Sequence, residues 1–317
     1  TAHPMYYRPK GVEFEPLKQW QYAAAAWNRS APAYASSGML MYAPLHEKLV
    51  SKACVLLEDF GEGPSVLDVG SAAAEPALSI WRARPDAEIV STDYAATNVH
   101  LGRSRTYRAG AETIDILMQF ADMEDLQFDD DAFDLVSACL SIMYTNREDS
   151  IPEIFRVTKP EGYALIVVHD STVSDLHVPY MAVIDKLLGD KNKDHDAVPD
   201  NMATRPLCLG QEGALTKALE EVGYEEVSCE GFEFALHAKG SVDEAWEKVK
   251  SPLVEMLDAL KDQGLIDESK DVEEEAKASY VEALTAAGGV SSEGFGFPRN
   301  KVWIYTARKP KFEGGWW

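Results

Sequence analysis

The chain has 317 residues, with 30 Lys and Arg against 53 Asp and Glu, a formal net charge of −23, 46% hydrophobic and 26% charged residues. Acidity of this size repels phosphate backbones and anionic head groups, which argues against nucleic-acid and membrane-surface partners. The apolar run around Ala164 to Val168 is far shorter than the roughly 20 residues that span a bilayer, so no membrane insertion is expected.

The first residues, Thr1-Ala2-His3, lack an initiator Met, which is consistent with processing or with an upstream segment. Residues 1–49 are rich in Tyr, Trp, Ala and Pro. They read as an irregular start followed by helices around Trp20 to Trp27 and Tyr42 to Leu57, a segment suited to cap a pocket as an N-terminal lid. Cys54, Cys139, Cys208 and Cys229 lie far apart and form no CxxC pair, so neither a zinc site nor a disulfide framework is expected. Reduced thiols fit a soluble protein of the cytoplasm or an organelle lumen.

From Ser65 the pattern changes to short apolar runs separated by helical stretches, the signature of parallel βαβ units. Strands are predicted at Ser65 to Val69, Glu88 to Thr92, Ile114 to Phe120, Phe133 to Ala138 and Ala164 to His169. The helices between and after them are Glu75 to Ala83, Thr97 to Ala109, Ser150 to Val157, Val178 to Leu188 and Gln211 to Val222. A strand at Glu226 to Leu236 precedes apolar residues at helical spacing from Val242 to Leu260, which Ser251-Pro252 should break. An acidic helix at Val272 to Ala286 and a final strand at Lys301 to Ala307 complete the pattern. The expected organisation is a single α/β domain over residues 50–310, with a helical insertion at about 240–290 and a tail at 311–317.

The most informative segment is Val66-Leu67-Asp68-Val69-Gly70-Ser71-Ala72-Ala73-Ala74-Glu75-Pro76-Ala77, in which a hydrophobic strand enters a turn of small residues and then a helix. Small residues let a ligand approach the backbone, and a helix start supplies unpaired N–H groups. The next strand ends in Asp93, where an acid can accept hydrogen bonds from ribose hydroxyls. Phe120-Ala121-Asp122-Met123 then places an acid and an apolar residue where an adenine amino group and ring face would sit. Phe128 to Val136 leads into the fourth strand, and Arg156-Val157-Thr158-Lys159-Pro160-Glu161-Gly162 turns into the fifth.

This ordered set resembles the class I S-adenosylmethionine-dependent methyltransferases, and within them the small-molecule group that includes the ubiquinone and menaquinone C-methyltransferases. Trp27-Asn28-Arg29-Ser30-Ala31-Pro32-Ala33-Tyr34 also matches the N-terminal W-x-x-x-A-x-x-Y pattern of that group, so the resemblance covers about residues 20–308. It implies a Rossmann-like sheet of seven strands, mostly parallel with the last antiparallel, and S-adenosylmethionine as cofactor with S-adenosylhomocysteine as product. Carried over by position, Asp68 and Gly70 shape the turn beneath the methionine part, Asp93 holds the ribose with Tyr94 beside it, and Ser71, Ala72 and Asn98 count among the cofactor-binding residues. Asp122 and Met123 take the adenine, Cys139 and Leu140 line the sulfonium side, and Tyr34 closes over the cofactor. The family usually has Gly where this chain has Ala72 and Ala74, and Pro-Gly-Gly where it has Pro160-Glu161-Gly162. Alanine there narrows the backbone choices of the turn.

A carbon or oxygen nucleophile must lose a proton, and His169, at the end of the fifth strand, is the candidate base by topology. Tyr42, Tyr144, Tyr180 and Trp246, with Tyr34, suggest an aromatic substrate pocket, and Arg205 or Arg299 a partner for a substrate carboxylate. No metal is expected. The favoured activity is C- or O-methylation of a small ring substrate; the alternatives are S- or N-methylation of a small metabolite, such as a compatible-solute precursor, and a non-catalytic binding protein. A nicotinamide oxidoreductase is disfavoured because GxGxxG is absent. Oligomeric state is not legible.

Overall fold

The computed structural model describes residues 20–188, 207–247, 250, 257, 272–292 and 294–311. Arg205 and the Ser251-Pro252 break fall outside them. The sheet has eight strands: β1 (Ser65–Val69), β2 (Glu88–Asp93), β3 (Ile116–Phe120), β4 (Phe133–Cys139), β5 (Thr158–Ser174), β6 (Glu225–Ala238), β7 (Val290–Ser291) and β8 (Gly294–Arg308). Their order is β3-β2-β1-β4-β5-β8-β6, with β7 paired to β8. β1 to β5 pair in parallel, and β8 runs antiparallel to both neighbours. The eighth strand, beyond the seven expected, is the two-residue β7, which forms a hairpin with an unexpectedly early start of β8.

Period-two side-chain alternation places apolar residues on both faces of the central strands. Leu165 and Val167 of β5 enter one core, whereas Ala164, Ile166 and Val168 enter the other. The first core is covered by α3 (Ala43–Leu57), whose Leu45, Leu49, Ala53 and Leu57 recur at helical spacing on one buried face. The second is covered by α6 (Arg147–Val157) through Ile151, Ile154 and Val157. The remaining helices, in chain order, are α1 (Trp20–Ala33), α2 (Met39–Met41), α4 (Ala77–Ala83), α5 (Ala96–Arg108), α7 (Val178–Leu188), α8 (Thr216–Glu221), α9 (residues 242–247) and α10 (Val272–Ala286).

Three of the differences from the expected bounds bear on the site. The helix predicted from Glu75 begins at Ala77, because residues 71–76 are held in turns, with the Glu75 N–H donating to Ser71 O at 3.0 Å. The helix predicted over Gln211 to Val222 contracts to α8. The final strand, predicted from Lys301, begins at Gly294, so residues 295–299 continue β8 and pair with β6 from Leu236↔Phe297 to Ala238↔Phe295.

Chain order reverses between β2 and β4 on either side of β1, which opens a crevice at the carboxyl ends of these strands, the usual ligand position in such sheets. Gly70 ends β1 with φ 66°, and a Cβ built on it would lie 2.4 Å from Ser141 Cβ. Only glycine lets the β1 turn and the end of β4 approach this closely. Ser141 uses that closeness to donate its hydroxyl to Val69 O at 2.9 Å.

Candidate functional site

The turn after β1 is tied down by two carboxylates. Asp68 is fully buried, accepting from Ser137 Oγ at 2.6 Å and from the Ala77 N–H at 3.1 Å. Burial pushes its carboxyl up to about 7, against the pull of those two hydrogen bonds. Asp93, 9% exposed, accepts from the Ala72 N–H at 2.8 Å on Oδ2, and from the Ala95 N–H at 2.8 Å and Asn98 Nδ2 at 3.2 Å on Oδ1. Its carboxyl rises to about 6, again through burial. Ser71 lies under the turn, its hydroxyl 2.6 Å from Ser91 Oγ.

Above this floor is a cleft of about 1050 Å³, its open mouth included. Gly70, Ala72, Asp93, Tyr94, Asn98, Asp122, Met123, Cys139 and Leu140 all line it. Asp68 and Ser71 do not; they order the floor from beneath. Trp27, Tyr34 and Met39 reach the cleft from the N-terminal segment, and Asn28 holds that segment to α5 by accepting from the Thr97 N–H at 2.8 Å. Trp27 makes edge contacts with both Tyr34 and Tyr144, ring centroids 5.5 and 5.7 Å apart. The three rings form an aromatic collar, and burial holds the Tyr34 phenol far above its usual range.

Three positions where glycine was expected from the family keep glycine's backbone without glycine. Ala72, Ala74 and Glu161 have φ of 48°, 67° and 68°. The alanines therefore leave the turn's path unaltered and hold it in a left-handed conformation that disfavours a Cβ by roughly 1–2 kcal/mol per residue. Ala72→Gly should raise unfolding free energy by about 0.5–1 kcal/mol, the strain relief less the extra freedom of an unfolded glycine. Ala74→Gly should be near neutral, because the Ala74 methyl packs against Val99 and Met118. Urea melts of the two variants check this; an Ala72→Gly protein no more stable than its parent would show that the turn is unstrained.

The proposed substrate side chains divide. Tyr144 lines the cleft, but Tyr42 is buried against His46, His169 and Phe234. Tyr180 packs edge-on to Tyr280. Trp246 is 1% exposed and packs on Tyr280, so it is core. Arg299 leaves the cleft lining and pairs with Asp175, Nη2 to Oδ1 3.1 Å, where β5 and β8 separate. His169, 6% exposed, also lies outside the cleft lining, with His177 4.7 Å away ring to ring. Its Nδ1 is buried without a hydrogen-bond partner among the described residues, and burial drives its pKa well below the usual value.

Sequence reasoning missed His46 and Glu75 as lining residues. His46 sits on α3 in no motif, and only the fold brings that helix to the cleft. Glu75 carries a signal in its place directly after the small-residue turn, but its partner Arg105 lies 30 residues on, in α5.

The cleft fits S-adenosylmethionine. Asp93 supplies a buried carboxylate, and two further lining residues, Glu75 and Asn98, each keep a buried oxygen, Oε2 and Oδ1, without a hydrogen-bond partner among the described residues. Buried polar atoms without partners point to a ligand that satisfies them.

Comparison with known proteins agrees. The methyltransferase domain family matches residues 67–166. The ubiquinone/menaquinone biosynthesis C-methyltransferase UbiE of Geobacter sulfurreducens is 36% identical over 111 residues, 34% of this chain and 43% of that enzyme. UbiE of Stutzerimonas stutzeri is 23% identical over 218 residues, 66% of this chain and 83% of that enzyme. Phosphoethanolamine N-methyltransferase 2 of Haemonchus contortus, solved with phosphomonomethylethanolamine and S-adenosylhomocysteine, shares the fold with a TM-score of 0.54 at 12% identity, over 94% of this chain and 62% of that one. Residues 67–166 thus carry a methyltransferase domain, and the chain resembles the class I S-adenosylmethionine-dependent methyltransferases. Within that class it resembles the UbiE C-methyltransferases. No described helix is long and apolar enough to cross a membrane.

Proposed function

We propose that the chain methylates a small ring-bearing acceptor at carbon or oxygen, with the acceptor entering under the collar of Trp27, Tyr34 and Tyr144. In this reading Asp93 takes the ribose hydroxyls, Asp122 and Met123 the adenine, and Cys139 and Leu140 border the sulfonium. The cofactor supplies an activated methyl group; the protein's residues align the acceptor and exclude water. The collar carries the reading, because its rings share one cleft with Cys139 and Leu140, and ring faces and edges favour an aromatic or unsaturated guest. The UbiE resemblance supports the same acceptor type.

A carbon or oxygen acceptor gives up a proton as its new bond to the methyl carbon forms and the old S–C bond breaks with its electron pair left on sulfur. His46 lines the cleft and His169 does not. Burial lowers the His46 pKa, so the imidazole is neutral near pH 7 and ready to accept. His46→Gln should lower kcat about 100-fold on such an acceptor, while the dissociation constant for S-adenosylhomocysteine changes less than threefold. The assay is transfer of labelled methyl to a panel of hydroxylated rings, with thiols and amines alongside. Transfer to a thiol or amine that is indifferent to His46→Gln would replace this reading with S- or N-methylation, which needs no base.

A further inference from the structure

We infer that Glu75 is the seat of the cofactor's α-ammonium group, an assignment that rests on the methyltransferase reading and adds a residue to it. Glu75 closes the turn that follows β1, and its side chain is only 6% exposed although it lines the cleft. Arg105 grips it from α5: one guanidinium nitrogen pairs with Oε1 and another donates to Ala73 O at 3.0 Å. The carboxylate is thus fixed in direction by a charge-assisted bond. Its second oxygen, Oε2, is buried and has no hydrogen-bond partner among the described residues.

The other acids of the cleft are differently placed. Asp93 already receives three N–H groups. Asp122 accepts from the Glu124 N–H at 2.9 Å, and Glu124 accepts from the Asn146 N–H at 2.7 Å. Among the described residues, Glu75 Oε2 is the buried carboxylate oxygen of this lining that lacks a donor. A buried carboxylate oxygen without a partner is costly and calls for a hydrogen-bond donor, a cationic one above all. Of the cofactor's groups, the ribose hydroxyls and the adenine amine are neutral and the sulfonium carries no N–H. The α-ammonium alone combines positive charge with hydrogen-bond donors.

The test is calorimetric titration of the purified chain, parent and Glu75→Gln, with S-adenosylhomocysteine, its deamino analogue and 5′-methylthioadenosine, which lacks the amino-acid end. The parent should bind S-adenosylhomocysteine at least tenfold more tightly than the deamino analogue. Glu75→Gln should lose at least tenfold for S-adenosylhomocysteine and stay within twofold for the other two ligands, the coupling expected of a direct contact. Equal losses for all three would make Glu75 a brace for the turn and overturn the assignment, as would no loss for any. Should Glu75→Gln fail to fold, the parent decides: equal affinity for S-adenosylhomocysteine and its deamino analogue overturns it. Failure of the parent to bind either S-adenosylhomocysteine or 5′-methylthioadenosine would bring down the methyltransferase reading, and this assignment with it.

Discussion

Alanine in place of Asp93 should weaken binding of S-adenosylhomocysteine by about 10- to 100-fold, the equivalent of roughly 1–3 kcal/mol for hydrogen bonds lost with their partners left buried. The effect has two sources. The ribose hydroxyls lose their acceptor, and the protein loses the brace that shapes its receptor, because the Ala72 N–H, the Ala95 N–H and Asn98 Nδ2 all donate to this one side chain. Melting temperature should therefore fall together with affinity. Asp93→Asn, which keeps one acceptor oxygen and the volume, should recover part of both. Titration calorimetry at a temperature where the variants remain folded decides the matter: an Asp93→Ala protein within twofold of its parent would remove Asp93 from the ligand site.

The second large effect concerns pH. The folded-state pKa of Asp68 is about 7, against 3.8 for the free group, so between these values the native chain holds a proton that the unfolded chain has released. Stability attributable to this group is therefore highest below about pH 4 and declines as pH rises toward 7, by up to about 1.4 kcal/mol per unit. Asp68→Asn removes the titration. Its amide oxygen can accept from the Ala77 N–H, and its amide nitrogen can donate to Ser137 Oγ, the two partners that Asp68 has now. Asp68→Asn should match its parent near pH 4 and gain on it up to pH 7, reaching at most about 4 kcal/mol, beyond which the difference levels off. The acidic surface titrates alike in both proteins and cancels. Denaturant melts across pH 4 to 8 measure the difference; a difference independent of pH would mean that Asp68 titrates normally in the fold.

The strand–turn–helix around Gly70 and the acid at Asp93 were legible because they are local. A hydrophobic run, a turn of small residues and a second run fix one another within 30 residues, and the topology then sets where they meet. Cys139 and Leu140, at the end of β4, came from the family resemblance rather than from the local pattern, and both line the cleft. Trp246 and Arg299 show where that logic stops. Helical spacing at Trp246 reports that a face is buried, not whether it is buried against ligand or against Tyr280. Arg299 was placed by its nearness in sequence to the substrate side, but Asp175, 124 residues earlier, claims it. Glu75 and His46 escaped for the converse reason: their part in the cleft depends on α5 and α3, which a one-dimensional pattern cannot bring to the same opening. At Ala72 and Ala74 the sequence suggested a narrowed turn, and the backbone instead accepts left-handed geometry.

The place of β8 bears on how the molecule is made. Residues 294–308 lie between β5 and β6, and Lys309 fastens their end by donating to Asp131 Oδ1, Phe155 O and Thr158 O at 2.7, 2.8 and 2.7 Å. As the chain leaves the ribosome, β5 and β6 are complete long before the strand that joins them. Both present open edges in the meantime, the kind of surface that captures other strands. Newly made protein thus passes through a sticky interval that ends only when this late strand slots in, and a ribosome stalled before residue 294 would hold a half-sheet that a chaperone has to shield.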